Sequence, residues 1–207
     1  MSHHQLKVGD DLNDSPVFKL KIGRDVESEI AYLQKLEKTD KAFRLRLDAN
    51  LKLSREEAFR FFSRLSEKTL CRLDFVEDPI KGTEKDWEAF SSHFDLRIAH
   101  DFAPEYFRDS AAVWILKPTR VNPWPLVERA THEMKRIVVT NSLDHPLGHL
   151  VSAWEASRIL VMHPLLIDTC ALNSEIVPQI ENLLNSISGY GFGMDAVLKG
   201  LDWKALS

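Results

Sequence analysis

Short segments in which apolar and polar residues alternate recur along the chain, and each is followed by a segment of different spacing. Residues 17–23, VFKLKIG, alternate so that a strand there places Lys19 and Lys21 on one face and apolar side chains on the other. Residues 24–38 carry apolar residues three and four positions apart, which predicts a helix. Seven segments have the strand pattern: residues 17–23, 43–50, 72–79, 96–102, 111–118, 136–142 and 165–170.

Helix starts are predicted at two serine or threonine residues. Ser54 precedes a helical pattern, and Glu57 stands at the capping-box position three residues later. Thr83 precedes the helical pattern of residues 83–94 in the same way. Only a short polar stretch, residues 104–110, follows the fourth strand. The helix at that point is therefore expected to be shortened or lost.

The regular alternation of strands and helices predicts a parallel sheet. Seven or eight such units favour a (β/α) barrel of the TIM type over an open sheet. An open doubly wound fold would usually carry a glycine-rich turn after its first strand, and the sequence there, KIGRDVE, has a single glycine. We expect residues 15–207 to form the barrel, with a helical region and a glycine-rich turn (189–193) near the C-terminus, and residues 1–14 to form a separate N-terminal segment. His3 and His4 in that segment are given no role.

Composition narrows the classes of partner. The net charge is −4, which is not the electrostatic footprint of a nucleic-acid-binding protein. The apolar runs fall far short of the ~20 residues that a membrane span needs, and the N-terminus, MSHHQLKVGDD, is polar. We expect a cytoplasmic protein that has a small-molecule ligand and binds neither nucleic acid nor membrane. The oligomeric state is not indicated by the sequence.

Charged residues stand at the carboxyl ends of the predicted strands, where barrels carry their functional groups. In chain order these residues are Lys19 and Lys21, Asp48 and Asn50, Glu77, Asp101, Lys117, the run Thr140 to Ser142, and Asp168. Taken singly, an acidic residue at a strand end is more often a cap or loop residue, and Lys19 and Lys21 are more readily solvated strand residues. Three carboxylates on neighbouring strands would repel one another unless a divalent cation lay among them, and oxygen ligands suit Mg²⁺. The ordered series on five consecutive strands therefore predicts an anionic, metal-bearing site.

The series Lys-x-Lys, Asp, Glu, Asp, Lys resembles the enolase superfamily, and in particular its muconate-lactonizing branch. The local sequence of several segments is most similar to that of the o-succinylbenzoate synthases of menaquinone biosynthesis. The segments that carry this resemblance are RLDAN (46–50), FVEDP (75–79), ILKPT (115–119) and NSLDHPLG (141–148). The similarity extends from Ser15 to Asp168, which is most of the chain.

The resemblance implies a lyase. Its metal ligands for Mg²⁺ would be Asp48, Glu77 and Asp101, and Lys21 and Lys117 would flank the reactive carbon of the substrate. The substrate of such an enzyme is a cyclohexadiene carboxylate that bears a hydroxyl group and a succinyl chain, and loss of water converts it to o-succinylbenzoate.

The lysines fit this chemistry because a proton next to a carboxylate is weakly acidic, and its removal requires concentrated positive charge. We expect Lys21 to abstract the proton and to protonate the leaving hydroxyl group. A lysine base must be neutral, and the nearby cations Lys19 and Mg²⁺ favour that form. Lys117 is expected to stay charged and to stabilise the intermediate.

Substrate-binding residues are expected near two of the strand ends. Ser142 and Asn141, with neighbouring amides near a helix start, would hold the succinyl carboxylate, and an ordinary helix cap is an equal reading of the same residues. Asn50 is assigned to substrate binding as well. His100 and Trp114 fall on the opposite face of their strands and are expected to pack against the outer helices.

Two further functions stay open. The first is a racemase or epimerase of N-acylamino acids or dipeptides, which would use Lys21 and Lys117 on opposite faces of the substrate. The second belongs to another class: a catalytically incomplete barrel fragment that binds Mg²⁺ or a partner chain. It is motivated by the N-terminal capping domain usual in the superfamily, which the residues ahead of Ser15 are too few to form.

Overall fold

The computed structural model describes residues 3–101, 107–142 and 146–172. Its centre is one parallel sheet in which neighbouring strands follow chain order. The strands are β1 (His4–Leu6), β2 (Val17–Lys21), β3 (Arg44–Asp48), β4 (Leu73–Glu77), β5 (Ile98–His100), β6 (Val113–Leu116) and β7 (Arg136–Val139). The predicted C-terminal helical region, the turn at 189–193 and part of the loop at 141–148 lie outside the described residues.

Helices cover the outer face of the sheet. They are α1 (Val26–Glu37), α2 (Arg55–Phe62), α3 (Glu67–Arg72), α4 (Glu84–Phe94), α5 (Pro123–His132) and α6 (Pro146–Met162). The predicted caps are confirmed, since Ser54 and Thr83 each form a capping box at the start of their helix. The short helix α3 was not predicted. Residues 107–112, the described part of the connection before β6, contain no helix, as expected. No helix among the described residues is long and apolar enough to cross a bilayer.

The sheet begins earlier in the chain than residue 17. His4–Leu6 pairs in parallel with Phe18–Leu20, so the predicted first strand is in fact the second, β2. His3 and His4, to which the sequence assigned no role, also make side-chain contacts in the fold. The His4 ring packs edge-on against Phe18, and His3 Nδ1 lies 3.1 Å from a guanidinium nitrogen of Arg46. A strand of three residues is too short to show a hydropathy period, which is why the sequence did not reveal it.

The two edges of the curled sheet meet across residues 166–171. Ile167, in the segment predicted to be a strand at 165–170, forms a parallel bridge to Ile137 of β7, and Ala171 forms one to Thr140, just after β7. On the other side, His3 N donates a hydrogen bond of 2.9 Å to Cys170 O, next to β1. The predicted α/β class with a parallel sheet is therefore confirmed in the described part of the chain, where the seven strands form a curled half-barrel. The complete TIM-type barrel stays a prediction.

Alternation along the strands separates two cores. The inner side holds a small apolar cluster of Phe75, Ala99, Val113, Ile115 and Val138. The intervening strand residues face the helices in the larger outer core. The outward direction predicted for His100 and Trp114 is confirmed, since His100 contacts the Trp87 ring edge-on and Trp114 stacks on Phe107.

A β-bulge interrupts this alternation in β4. Leu45 pairs with Leu73, but the next residue, Arg46, pairs with Phe75, so Asp74 has no counterpart in β3. A bulge re-aims the side chain of its extra residue. The Asp74 carboxylate consequently meets the interior side chain of Arg46.

Candidate active site at the carboxyl ends of the strands

Lys19 joins two of the predicted metal ligands. Its Nζ atom lies 2.9 Å from Asp48 Oδ2 and 2.7 Å from Glu77 Oε2, and both carboxylates are buried. The parallel register explains the meeting, because Asp48 stands opposite Glu77 on the neighbouring strand. Side chains on the inner face of β2, β3 and β4 therefore converge at one end of the sheet.

Burial and mutual charge shape the ionisation of these groups. Burial alone would lower the pKa of Lys19, but the charges of Glu77 and Asp48 outweigh it and raise the pKa, so Lys19 is an ammonium ion. Burial raises the pKa of Glu77 to about 8; Asp48 and Asp101 add to that rise, and Lys19 opposes it. Lys19 alone therefore does not compensate the carboxylates of Asp48, Glu77 and Asp101.

Asp101 forms an ion pair with Lys117 across the neighbouring strand ends. Both side chains are largely shielded from solvent. The backbone of Asp101 is held from β4, because its N–H donates a 3.1 Å hydrogen bond to Asp78 Oδ1. The predicted order of the series, with Asp101 beside Lys117, is therefore realised as a contact.

Three carboxylates lie close enough to share a metal ion: those of Glu77, Asp78 and Asp101, whose ligand atoms fall within 4.8 Å of one another. The predicted set had Asp48 in place of Asp78. Asp78 was missed because it directly follows Glu77 and should point to the opposite face, but its backbone is in the left-handed region at φ 46°. Oxygen-only donors of this kind suit Mg²⁺, so the residues present fit the ion.

Asn50 contacts a predicted metal ligand. Its backbone N–H and its side-chain Nδ2 donate hydrogen bonds of 3.0 Å and 2.6 Å to Asp48 Oδ1. Together with Lys19 on Oδ2, these bonds hold both oxygens of Asp48. Asn50 thus orients Asp48, and its assignment to substrate binding stays a prediction.

Lys21 is the last residue of β2 and is exposed at the same end, in register with Asp48. None of the ion pairs found among the described residues involves it. The loop that follows it is anchored by Glu29, a buried residue of α1. Glu29 accepts hydrogen bonds of 2.8, 2.9 and 3.1 Å from the backbone N–H groups of Gly23, Arg24 and Asp25. Sequence reasoning missed Glu29, because an acidic residue in the first turn of a helix is commonplace.

Asn141 and Ser142 follow β7 at this end of the sheet. Ser142 is 6% exposed, and neither its Oγ atom nor Asn141 Oδ1 has a hydrogen-bond partner among the described residues. Buried polar atoms normally have partners, so this pair is available to a polar ligand group. Their role in holding a substrate carboxylate stays a prediction.

Comparison with known proteins agrees with the motif series. Residues 12–109 match the family described as enolase C-terminal domain-like. This match, over slightly less than half of the chain, supports the predicted enolase superfamily and does not distinguish a particular branch of it. No curated protein matches the chain.

Solved structures share the fold at low identity. A mandelate racemase/muconate lactonizing enzyme from Bordetella bronchiseptica RB50 has a TM-score of 0.64 and 18% identity, over 80% of this chain and 48% of its own. The L-Ala-D/L-Glu epimerase from Bacillus subtilis has a TM-score of 0.67 and 19% identity, over 87% and 52%. An enolase from Pseudomonas fluorescens Pf0-1 with bound magnesium, potassium and tartrate has a TM-score of 0.62 and 18% identity, over 75% and 38%. The chain thus spans about half the length, or less, of these proteins.

Proposed function

We propose that this chain functions in an enzyme that removes a proton from the carbon next to a substrate carboxylate. The proposed reaction is dehydration of a hydroxy-succinyl-cyclohexadiene carboxylate to o-succinylbenzoate. The observation that supports this proposal is the arrangement of charged residues at the carboxyl ends of the strands. A group of buried carboxylates has Lys21 on one side of it in strand order and Lys117 on the other. Two amine groups around an acidic metal-type site suit proton transfer at a carbon beside a carboxylate.

Mg²⁺ fits the acidic group, and Glu77, Asp78 and Asp101 would hold it. Asp48, the third ligand that the resemblance implies, lies beside Glu77 and contacts Lys19. When bound there, the ion supplies Lewis-acid stabilisation of negative charge on the substrate carboxylate. Lys19 contacts two carboxylates of this region, Asp48 and Glu77, and partly compensates their charge. Lys19 therefore helps to hold these two side chains together.

In the proposed reaction Lys21, as the neutral amine, takes the proton from the carbon beside the carboxylate. The electron pair of that C–H bond forms the new ring double bond as the C–O bond breaks. The same amine returns its proton to the departing hydroxyl group, which leaves as water. Lys117 remains an ammonium ion, held by Asp101, and stabilises negative charge from the other side.

The alternative within the superfamily is epimerisation of a dipeptide or an N-acylamino acid. It is favoured by the presence of two lysines, one for each face of the substrate, and by the fold shared with an L-Ala-D/L-Glu epimerase. The remaining candidate is a barrel unit that binds Mg²⁺ or a partner chain without turning over a substrate. The acidic group of Glu77, Asp78 and Asp101, which could hold an ion, supports this third candidate.

The deciding experiment follows loss of the diene absorbance in the presence of Mg²⁺, with Lys21→Ala and the matched control Lys85→Ala, which changes an exposed lysine on α4. The proposal requires turnover that Lys21→Ala abolishes and Lys85→Ala retains. If the α-proton of a dipeptide instead exchanges for deuterium, and both Lys21→Ala and Lys117→Ala lose this exchange, the epimerase function replaces the dehydration proposal. If Mg²⁺ stabilises the chain but neither turnover nor exchange is seen, the function is that of the magnesium- or partner-binding unit.

A further inference from the structure

A second cluster of charged side chains lies at the amino ends of the strands, opposite the candidate active site. We call it the arginine cluster. Its members are Arg44, Arg46, Asp74, Arg97, Arg136 and Asp168. Arg44 begins β3, Arg97 precedes β5 and Arg136 begins β7, so parallel strands bring these guanidinium groups to one end of the sheet.

Asp74 is the centre of the arginine cluster. Its Oδ2 atom accepts a 2.8 Å hydrogen bond from Arg46 Nε. Its Oδ1 atom lies 3.2 Å from Arg44 Nη1, 3.1 Å from Arg97 Nη2 and 3.5 Å from Arg136 Nη1. One fully buried carboxylate thus faces four guanidinium groups.

Asp168 is the other carboxylate of the arginine cluster. It contacts Arg136, and its Oδ1 atom lies 3.3 Å from Arg44 and 3.7 Å from Arg46. Within the described residues no further carboxylate lies within 4 Å of the four guanidinium groups. Four arginines share two carboxylates, which leaves an excess of two positive charges.

An independent observation comes from Arg46. Its side chain is 0% exposed, yet Nη2 makes no hydrogen bond within the described part of the chain. Burial, and to a smaller extent the neighbouring arginines, lower the pKa of Arg136 and Arg46, whereas Asp74 opposes this fall. Because arginine does not deprotonate in proteins, an anion is what relieves such an excess.

We propose that the arginine cluster binds a small oxyanion of the phosphate class. Arg44 and Arg97 are 45% and 48% exposed, so an anion reaches them from solvent. Planar guanidinium groups match the oxygens of phosphate with paired hydrogen bonds. Inorganic phosphate and a phosphorylated small molecule present the same group to this site.

The test is calorimetric titration of inorganic phosphate into the magnesium-free chain at constant ionic strength. The wild type is compared with Arg97→Gln and with the matched control Arg60→Gln, which changes an exposed arginine on α2. We expect saturable binding, weakened about tenfold or more by Arg97→Gln, as for loss of a charge-assisted bond. Arg60→Gln should bind as the wild type does. Arg136→Gln provides a second variant if Arg97→Gln does not fold.

Two outcomes would overturn the proposal. One is the absence of saturable phosphate binding to the wild type. The other is loss of binding in Lys21→Gln with retention in Arg97→Gln and Arg136→Gln, which would place the anion at the opposite end of the sheet. Titration with glycerol phosphate separates the sources: tighter binding than phosphate indicates a phosphorylated small molecule, and equal binding indicates free phosphate.

Discussion

Asp74→Asn is expected to be among the most destabilising conservative substitutions in this protein. The change keeps the shape of the side chain and removes its charge. Arg46, which is fully buried, would then have Asp168, at 3.7 Å, as its one remaining carboxylate partner among the described residues. The four guanidinium groups of the arginine cluster would share a single carboxylate.

The magnitude follows from burial. Removing one partner of a buried ion pair leaves the other charge uncompensated, which typically costs about 3–5 kcal/mol. We expect a loss in that range, equivalent to a fall in melting temperature of roughly 6–20 °C for a chain of this size. Asp109→Asn is the matched control, since Asp109 is 84% exposed and pairs with Arg129 at 3.2 Å. An exposed pair of this kind contributes about 0–1 kcal/mol.

Urea unfolding at pH 7, followed by circular dichroism, measures both variants. A loss for Asp74→Asn within about 1 kcal/mol of that for Asp109→Asn would refute the reasoning from buried charge. The pH dependence gives a second check. Burial alone would raise the pKa of Asp74, but Arg46, Arg44 and Arg136 outweigh it and lower the pKa. Its stabilisation is therefore present above the unfolded pKa and lost as the pH falls, so wild type and variant should converge below about pH 4.

Three further predictions concern local features. Ser54→Ala removes the capping box of α2 and should lower the free energy of unfolding by about 1 kcal/mol in urea titrations. An unchanged midpoint of urea unfolding would contradict this prediction. Glu29→Gln weakens the acceptor of three backbone N–H groups and should cost about 2 kcal/mol, with faster amide exchange at Gly23 as its signature. Burial, with the charges of Lys19 and Arg46, lowers the pKa of His3 to about 3, so the ring is neutral in the folded chain. The advantage of wild type over His3→Gln is complete above pH 6.5 and should shrink by about 1–2 kcal/mol between pH 6.5 and 5, and a pH-independent difference would contradict it.

The candidate site was predictable where it depends on strand period and strand order. Lys19, Asp48 and Glu77 lie on the inner face because alternation places them there, and adjacent parallel strands then bring them together. Asp78 was not predictable in the same way. Its left-handed backbone reverses the side-chain direction that alternation would assign, and nothing in the pattern marks that conformation.

Hydrophobic periodicity and helix caps determined the class of fold and the start of two helices from the sequence alone, because both depend on residues a few positions apart. Only the tertiary structure decided which lysine lies among the carboxylates, that His4–Leu6 adds a strand, and that Asp74 bulges inward. These features arise from contacts between residues far apart in the chain. Their free energy depends on distance, burial and register across the sheet, which a single sequence does not display.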